Sequence, residues 1–513
     1  MRRDRVLLIR LAAVAVMTPL VQTLSAQRPA NSVADWRAHN ERKILDELMQ
    51  LVSLPNVARN SADMKVNATL LTTRFERRGF TVRATTGPGS PVILATLSAT
   101  APRGTLTFYI HYDGQPVDPK EWTFCGPFAP CVQGPAGTVT LRPDTKLDPE
   151  WRVYGRSASD DKAPIVALLN AVDALRATGT GPKWNITVVL DGEEEAGSNN
   201  FEQFVAQRGR ELSADLVITL DGPRHPSTRP TMYYGVRGGA NVLVTVFTAR
   251  MDLHSGNYGN WAPDPTMRLA KLLSSMKDDD GRVTIAGFYD AVTPLTPTER
   301  RALAAMPDVE TMLMKDFGIA RPERSTTRLE EKLNEPTLNV LAMESGGGLS
   351  AAPRTAIPAK ASARLAMRLV QGIDPATQQE LVVAHIRKQG YFIVEKRDPT
   401  DSERLAHPLL ARVDRGAGNA ASRVPMDEPL VSRVVMALTR NGVAPVQLPT
   451  LGGSMPFGAF SETLKLPTIG VSLVNHDNNQ HGPNENLKLR NLWEGVEMLA
   501  AIMTMPKSAT VPD

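Results

Sequence analysis

Apolar positions follow two patterns along this chain, and the two patterns alternate. Helical spacing marks residues 34–54 and 62–78 and the stretch that begins at Pro164. Short continuous apolar runs predict buried strands at 92–97, 105–110, 188–190, 216–220 and 468–474. Strands that alternate with helices favour a largely parallel sheet, and such sheets bind ligands outside the carboxyl ends of their strands. The polar residues that follow each strand are therefore the first candidates for a functional site.

From about residue 241 the pattern changes. Strand, helix, strand, strand and helix are predicted in turn at 241–246, 266–276, 337–343, 361–370 and 375–389, which is the order of a small split-βαβ domain. The first pattern then resumes, with a helix near 429–441, the strand at 468–474 and a C-terminal helix over 492–503. We therefore expect one α/β domain in two pieces, 27–240 and 409–513, with a smaller domain inserted at 241–408.

The N-terminus has the composition of a secretory signal peptide, with three early arginines, an apolar stretch at 6–21 and the small residues Ser25-Ala26. A membrane anchor is the alternative, but Arg10 and Pro19 interrupt the span. Removing residues 1–26 takes away four arginines and one aspartate, so the formal net charge falls from +4 to +1. A nearly neutral mature chain does not favour a nucleic-acid or anionic-membrane partner. We expect a secreted or periplasmic protein without a membrane span after cleavage.

Only two cysteines occur, Cys125 and Cys131, and a Gly/Pro-rich turn separates them. In an oxidising compartment, thiols placed in this way predict a local disulfide. Two separate buried thiols are the alternative.

The strand that ends at Asp191 runs directly into three consecutive acids, Glu193, Glu194 and Glu195. Like charges at the mouth of a core strand repel one another, so a fold that keeps them there supplies compensating positive charge. A bound metal is the most economical source. Taken alone, the run is equally compatible with a solvated acidic turn.

Other predicted strand ends and one helix start also carry candidate ligands. His111 and Asp113 are two residues apart and face the same side of a strand, so the carboxylate is placed to accept the second ring N–H of a ligating histidine. Asp160 stands just before a predicted helix, where capping needs only one of Asp160 and Asp161. Asp221 follows the next strand.

Together these residues resemble those of the co-catalytic zinc exopeptidases, a family that includes carnosinases, carboxypeptidase G and aminoacylases. The matching motifs are His111-x-Asp113, Gly155-Arg156 with Asp160-Asp161-Lys162, Glu194-Glu195-Ala196-Gly197-Ser198, Asp221 and His481-Gly482-x-Asn484-Glu485. They occur in the family's order over nearly the whole mature chain, and the sequence Asp-Leu-His-Ser-Gly at 252–256 is closest to that of carnosinase-like dipeptidases. The resemblance implies an α/β catalytic domain with a largely parallel sheet, an inserted ferredoxin-like α+β lid and dimerisation domain, and a homodimer.

The resemblance also implies a metal site with two Zn²⁺ ions per subunit, for which Co²⁺ or Mn²⁺ can substitute. Asp160 would bridge the two ions, with His111 and Asp221 completing one site and Glu195 and His481 the other. Each ion then has three protein ligands and keeps a position open, as catalytic zinc does.

The remaining roles come from the same resemblance. Glu194 would be the general base, with Glu193 left as a flanking charge. His254, in the inserted domain, would stabilise the oxyanion in the partner subunit; an ordinary loop histidine is the alternative. Substrate would be bound by Arg368, which pairs with a carboxylate unless it is merely a solvated strand residue, and by the loop that contains Gly453 and Ser454.

These expectations predict an exported zinc peptidase that hydrolyses dipeptides or short peptides with a free C-terminal carboxylate. Leu451 stands where many carnosinase-like relatives carry an acid, which puts recognition of a free amino terminus in doubt, and Ala163 stands where relatives usually have Gly. An N-acyl amino-acid amidohydrolase is therefore the second hypothesis. A non-catalytic scaffold on the same fold is the third, but it predicts a lost ligand or base, and none is missing.

Overall fold

The computed structural model describes residues 32–85, 89–348 and 354–508. The expected signal peptide, residues 1–26, lies outside the described residues. No helix among the described residues is long and apolar enough to cross a membrane.

The helices that the apolar pattern predicts begin and end close to the expected residues, while short helices such as Pro297–Ala304 and Glu310–Phe317 were not predicted. Ser32 caps the first helix by accepting a hydrogen bond from the Asp35 backbone N–H at 3.1 Å. In chain order the helices are α1 Val33–Val52, α2 Ser61–Arg77, α3 Lys162–Ala177, α4 Asn199–Arg208, α5 Ser255–Tyr258, α6 Pro265–Ser274, α7 Pro297–Ala304, α8 Glu310–Phe317, α9 Leu329–Lys332, α10 Pro375–Lys388, α11 Asp401–Ala406, α12 Pro429–Leu438 and α13 Leu489–Thr504.

The strands belong to two large sheets and three small ones. In chain order they are β1 Thr81–Ala84, β2 Ile93–Leu97, β3 Thr105–His111, β4 Cys131–Gly134, β5 Gly137–Thr138, β6 Arg152–Tyr154, β7 Asn185–Asp191, β8 Leu216–Thr219, β9 Thr231–Tyr233, β10 Gly235–Val236, β11 Gly238–Phe247, β12 Leu253–His254, β13 Thr337–Ser345, β14 Ala356–Ile357, β15 Lys360–Leu369, β16 Phe392–Val394, β17 Leu410–Asn419, β18 Ser422–Arg423, β19 Val446–Leu448, β20 Thr468–Ser472 and β21 Asn486–Lys488.

The larger sheet has eight strands in the order β1-β2-β7-β3-β8-β20-β9-β19. Its central strands β7, β3, β8 and β20 are parallel, while β2 and β9 pair with this block in the antiparallel sense. The sheet is therefore mixed, with the predicted parallel arrangement at its centre. Because the central strands run in one direction, their carboxyl ends meet at one edge.

Helix α3 lies between α1 and α13, against the central sheet. It is buried on almost every side, and not only along the predicted apolar face that includes Ile165, Leu168 and Val172. Its N-terminus is thereby fixed at the carboxyl edge of the sheet, where Asp160 and Asp161 precede it.

The second large sheet has five strands in the order β13-β15-β11-β17-β16, and α6 and α10 pack against it. It begins at Gly238 and ends at Asn419, so it extends past the predicted domain boundaries at 241 and 408. The apolar pattern did not predict strand β17, because five of its last six residues are exposed and several are polar.

Two further features complete the frame of the site. The chain segments that connect the two large sheets pair with each other as β10 and β18. Helix α7 packs against β19, so this part of the inserted sequence contacts the eight-stranded sheet. Cys125 and Cys131 form the predicted disulfide, with 6.1 Å between their Cα atoms.

Candidate metal centre

The candidate ligands meet at the carboxyl edge of the eight-stranded sheet. His111 ends β3 and lies in register with Asp191, which ends β7. Asp221 follows β8, and His481 lies in the loop between β20 and β21. Residues from separate parts of the sequence converge here because the strands that carry them are parallel neighbours.

His111, Asp160 and Asp221 form the first ligand group. Nε2 of His111 lies 2.8 Å from Asp160 Oδ1 and 4.0 Å from Asp221 Oδ2. All three residues are buried, and one candidate ligand atom from each lies within 4.8 Å of the others.

Asp160, Glu195 and His481 form the second ligand group, within the same limit of 4.8 Å. Nε2 of His481 lies 3.2 Å from Asp160 Oδ2 and 3.4 Å from Glu195 Oε2. Asp160 thus belongs to both groups and offers one carboxylate oxygen to each histidine.

The residues of both groups fit a pair of divalent cations. Imidazole nitrogens and carboxylate oxygens are the donors that zinc and related metals take. Asp160 Oδ2 is buried and accepts no hydrogen bond from the described residues, although it lies 3.2 Å from His481 Nε2. A buried oxygen without a donor is costly, and a cation would satisfy it.

The pKa shifts at this edge have the same physical origin. Burial, and then the charge of Asp160, raise the pKa of Asp221 to about 6 and that of Glu195 to about 8. Burial opposes protonation of His111, but hydrogen bonding to Asp113 and Asp160 outweighs it and raises its pKa well above the ordinary value. The edge therefore holds more acidic groups than its two histidines can balance if all of them ionise.

Asp113 links the first group to the acidic turn. Its Oδ1 lies 3.3 Å from His111 Nδ1, which leaves Nε2 of that ring facing Asp160. Its two oxygens accept the backbone N–H groups of Glu194 at 3.1 Å and Glu195 at 3.0 Å. The carboxylate thus orients a candidate ligand and the turn that holds another.

The three acids of the turn point in different directions. Glu193 Oε1 accepts hydrogen bonds from the Ser90 backbone N–H at 2.7 Å and from Asn200 Nδ2 at 3.1 Å, away from the ligand groups. Glu195 faces His481. Within the described residues, the Glu194 carboxylate has no hydrogen-bond or ion-pair partner, and it lines the cleft above the ligand groups. Burial raises the pKa of Glu194 well above its ordinary value, although His111 opposes the shift.

A cleft of about 470 Å³ opens over the ligand groups. Arg368, from β15 of the smaller sheet, lines it together with Gly453 and Ser454. Arg368 Nη1 donates to Ser454 Oγ at 2.9 Å, and that hydroxyl donates to the Arg237 carbonyl at 2.6 Å. The predicted substrate residues therefore lie together and line the same cleft as the candidate ligands.

His254 is not brought to this cleft within the described chain. It ends β12, is exposed, and accepts a hydrogen bond at Nδ1 from the Gly256 backbone N–H at 3.1 Å. It is not among the residues that line this cleft.

Sequence reasoning gave no role to three residues that support the site. Gln115 Nε2 donates to Glu195 Oε2 at 2.7 Å. Gln115 follows Asp113 by two residues, just as Asp113 follows His111. This strand-like spacing was the sequence signal that could have indicated its role. Arg156 and Glu485 stood within the quoted motifs without a function, and they bond to each other at 2.8 Å.

Comparisons with known proteins find relatives that match most of the chain. The sequence profile of "Peptidase family M20/M25/M40" matches residues 107–505. The chain is 28% identical to human "Beta-Ala-His dipeptidase" over 427 residues, covering 81% of this chain and 77% of that protein. It is 26% identical to "Cys-Gly metallodipeptidase dug1" of Schizosaccharomyces pombe over 482 residues, covering 89% and 94%. The solved structure of "M20 family metallo-carboxypeptidase Sso-CP2" from Sulfolobus solfataricus superposes with a TM-score of 0.72 at 27% identity, covering 91% of this chain and 99% of that one.

Proposed function

The chain belongs to peptidase family M20/M25/M40 and is a hydrolase of the metallopeptidase class, and from this we propose that it is a zinc-dependent dipeptidase. The observation that carries the proposal is the position of Asp160, whose two oxygens serve two ligand groups. The cleft over these groups is lined by the Glu194 carboxylate and the Arg368 guanidinium.

In this proposal Glu194 is the general base. Divalent cations held by the two ligand groups would lower the pKa of the attacking water and polarise the amide carbonyl of the substrate. Glu194 has no partner among the described residues and lines the cleft, so it can take a proton from that water and return it to the leaving amine.

Arg368 binds the free carboxylate of the substrate. A guanidinium forks onto a carboxylate through two N–H groups, and Ser454 already accepts one hydrogen bond from this side chain. The relatives described above have names that record action on dipeptides, Beta-Ala-His and Cys-Gly. A dipeptide presents both the amide and the carboxylate that the cleft is built to receive.

One observation favours the N-acyl amino-acid amidohydrolase as the second candidate. The carboxylates that line the cleft are Asp160, Glu194, Glu195 and Asp221, and each is engaged as a ligand or as the base. Leu451 is an apolar part of the wall and packs with Leu303 and Met306. Among the described residues no lining acid is left over for an ammonium group, so a blocked amine would be tolerated.

We also propose a homodimer formed through the inserted domain, in which His254 reaches the partner's cleft. Strand β13 is an edge of the five-stranded sheet, so one of its sides is unpaired within the described chain. Its residues Val340, Leu341 and Met343 are 46%, 62% and 50% exposed. An exposed apolar edge strand is a typical association surface.

Export to an extracellular or periplasmic compartment remains part of the proposal. It rests on the N-terminal sequence and is supported by the Cys125–Cys131 disulfide, because disulfides persist in oxidising compartments.

A matched substrate screen tests the proposed activity. Protein is stripped with a chelator, reloaded with Zn²⁺, Co²⁺ or Mn²⁺, and assayed on dipeptides and N-acyl amino acids that share the same C-terminal residue. Metal-dependent cleavage that falls when the amine is blocked supports the dipeptidase. Equal or faster cleavage of the blocked substrates supports the amidohydrolase. Full activity in metal-free protein contradicts both.

A further inference from the structure

The Glu485 carboxylate is completely buried beneath the ligand groups and is saturated with donors. Its Oε1 accepts from the backbone N–H groups of Ser159 at 3.0 Å and Asp160 at 2.9 Å, and from Ser159 Oγ at 2.9 Å. Its Oε2 accepts from the Ser157 backbone N–H at 2.8 Å and from Arg156 Nη1 at 2.8 Å. One side chain therefore holds the loop that positions Asp160 at the carboxyl edge of the eight-stranded sheet.

Arg156 connects Glu485 to the backbone of His481. While Nη1 bonds to Glu485, Nη2 donates to the backbone carbonyl of His481 at 3.2 Å. The guanidinium lies over the Trp122 ring, 5.5 Å from its centroid, which restricts its position further. The backbones of His481 and Asp160 are thus joined through one buried ion pair.

His481 needs such support more than the other ligands do. His111 is the last residue of β3 and Asp221 lies two residues after β8, whereas His481 lies in a loop and has a φ of 65°. A non-glycine residue in that region is strained and persists only where its surroundings hold it.

We propose that Glu485 and Arg156 form a positioning pair that sets the place of His481 relative to Asp160, and so determines how tightly the second ligand group holds its metal. The inference rests on the proposed binding of two metal ions. The first ligand group shares Asp160 with the second. It depends less on this pair, since its other two ligands, His111 and Asp221, are held by the sheet.

The pair is tested by measuring metal affinity rather than activity alone. Glu485→Gln keeps the size of the side chain but replaces one acceptor oxygen by a donor, which then faces N–H groups. Arg156→Lys keeps the charge but cannot bond to Glu485 and His481 with two parallel N–H groups, and it serves as the milder variant. Zn²⁺ equivalents are determined after dialysis and by chelator competition, and Co²⁺-loaded protein reports on ligand geometry through its visible spectrum.

We expect Glu485→Gln to bind the second equivalent about 10 to 100 times more weakly, the usual loss when a partner of a metal ligand is removed. The first equivalent should change much less. Arg156→Lys should show a smaller loss at the same equivalent. The Co²⁺ spectrum should change for the second ion added and stay close to that of the wild type for the first.

A buried ion pair elsewhere provides the matched control. Arg423 Nε lies 3.0 Å from Glu299 Oε1, and both side chains are nearly as enclosed, at 7% and 5% exposure. Glu299→Gln should lower the stability without changing the affinity for either equivalent. If it weakens the second equivalent as much as Glu485→Gln does, the effect is general destabilisation and the inference is overturned.

The remaining outcomes separate the inference from the function on which it rests. Wild-type affinity for both equivalents in folded Glu485→Gln and Arg156→Lys proteins overturns the positioning role alone. Wild-type protein that binds no metal overturns the proposed function and the positioning role together.

Discussion

Nε2 of His481 lies 3.2 Å from Asp160 Oδ2, the carboxylate oxygen that His111 leaves free. The two ligand groups therefore share Asp160, but their histidines differ in exposure. The His481 side chain is 55% exposed, whereas that of His111 is 1% exposed.

The first prediction follows from that difference. A weak chelator should remove one metal equivalent from the protein quickly and the other slowly, because solvent reaches the group of His481 directly. His481→Ala should retain about one equivalent and His111→Ala should lose the slowly exchanging one. Metal content measured against dialysis time checks this, and equal release of both equivalents would contradict it.

The second prediction concerns the acidic turn. Glu194→Gln should keep both metal equivalents and lower kcat by about 10²- to 10⁴-fold, the contribution of a general base. Glu193→Gln is the matched control, since Glu193 bonds to Ser90 and Asn200 and not to the cleft. Glu193→Gln should lower the melting temperature and leave kcat close to the wild-type value. A larger loss of kcat in the Glu193 variant would show that the roles are assigned to the wrong residues.

The third prediction concerns Arg368. Arg368→Ala should raise KM for substrates with a free carboxylate by about 10- to 100-fold, the range expected when a charged hydrogen-bonding partner is removed. Substrates with an amidated C-terminus should be unaffected. Arg364→Ala is the control, because Arg364 is exposed on the same strand and, four residues away, on the same face, but does not line the cleft. An equal effect on amidated substrates would exclude carboxylate binding.

The fourth prediction concerns pH and the metal-free protein. The folded pKa values of Asp221 and Glu195, about 6 and about 8, lie above their ordinary values of 3.8 and 4.5. Between its ordinary pKa and its folded pKa, each group binds more protons in the folded state than in the unfolded state. The free energy of unfolding therefore falls as the pH rises through these two intervals. The raised pKa of His111 acts in the same direction.

Urea unfolding of chelator-treated protein checks the sign. The midpoint should be higher near about pH 6 than near about pH 8, and Zn²⁺ should reduce the difference because bound cations stabilise the ionised carboxylates. Metal-free protein that is more stable at the higher pH would contradict the origin given for these shifts.

The fifth prediction is that His254 acts across the subunit interface. Hybrids of His254→Ala and Glu194→Ala protein, formed by dissociation and reassociation, would contain one site that takes its base from one subunit and its histidine from the other. With random pairing in a two-fold dimer, about a quarter of wild-type sites should return. Each variant alone should remain nearly inactive. No recovery in preparations where hybrid dimers are demonstrated would exclude the role in trans.

Local sequence pattern was sufficient for the centre of the fold. The runs at 105–110, 188–190 and 216–220 form β3, β7 and β8 because continuous apolar residues can be buried on both faces of a parallel sheet. Since parallel strands end at one edge, the polar residues that follow them necessarily lie near one another at that edge.

Periodicity was less informative in the inserted sequence. Helices α7 and α8 are short and carry several charged residues, so they have no long apolar face to detect. Strand β17 is half exposed, and its place in the sheet depends on pairing with β11, far away in sequence.

Only the tertiary structure decided how the site is arranged in detail. The divergence of Glu193, Glu194 and Glu195 depends on Ser90 and His481, which approach the turn from distant segments. It depends also on Asn200, in the helix that follows the turn. The enclosure of Glu485 by the loop at 155–160 is decided in the same way. Residue type and spacing determine which groups reach the edge of a sheet, because they act locally. The direction of a side chain in a loop is determined by the donors and charges that surround it, and those are assembled only when the chain folds.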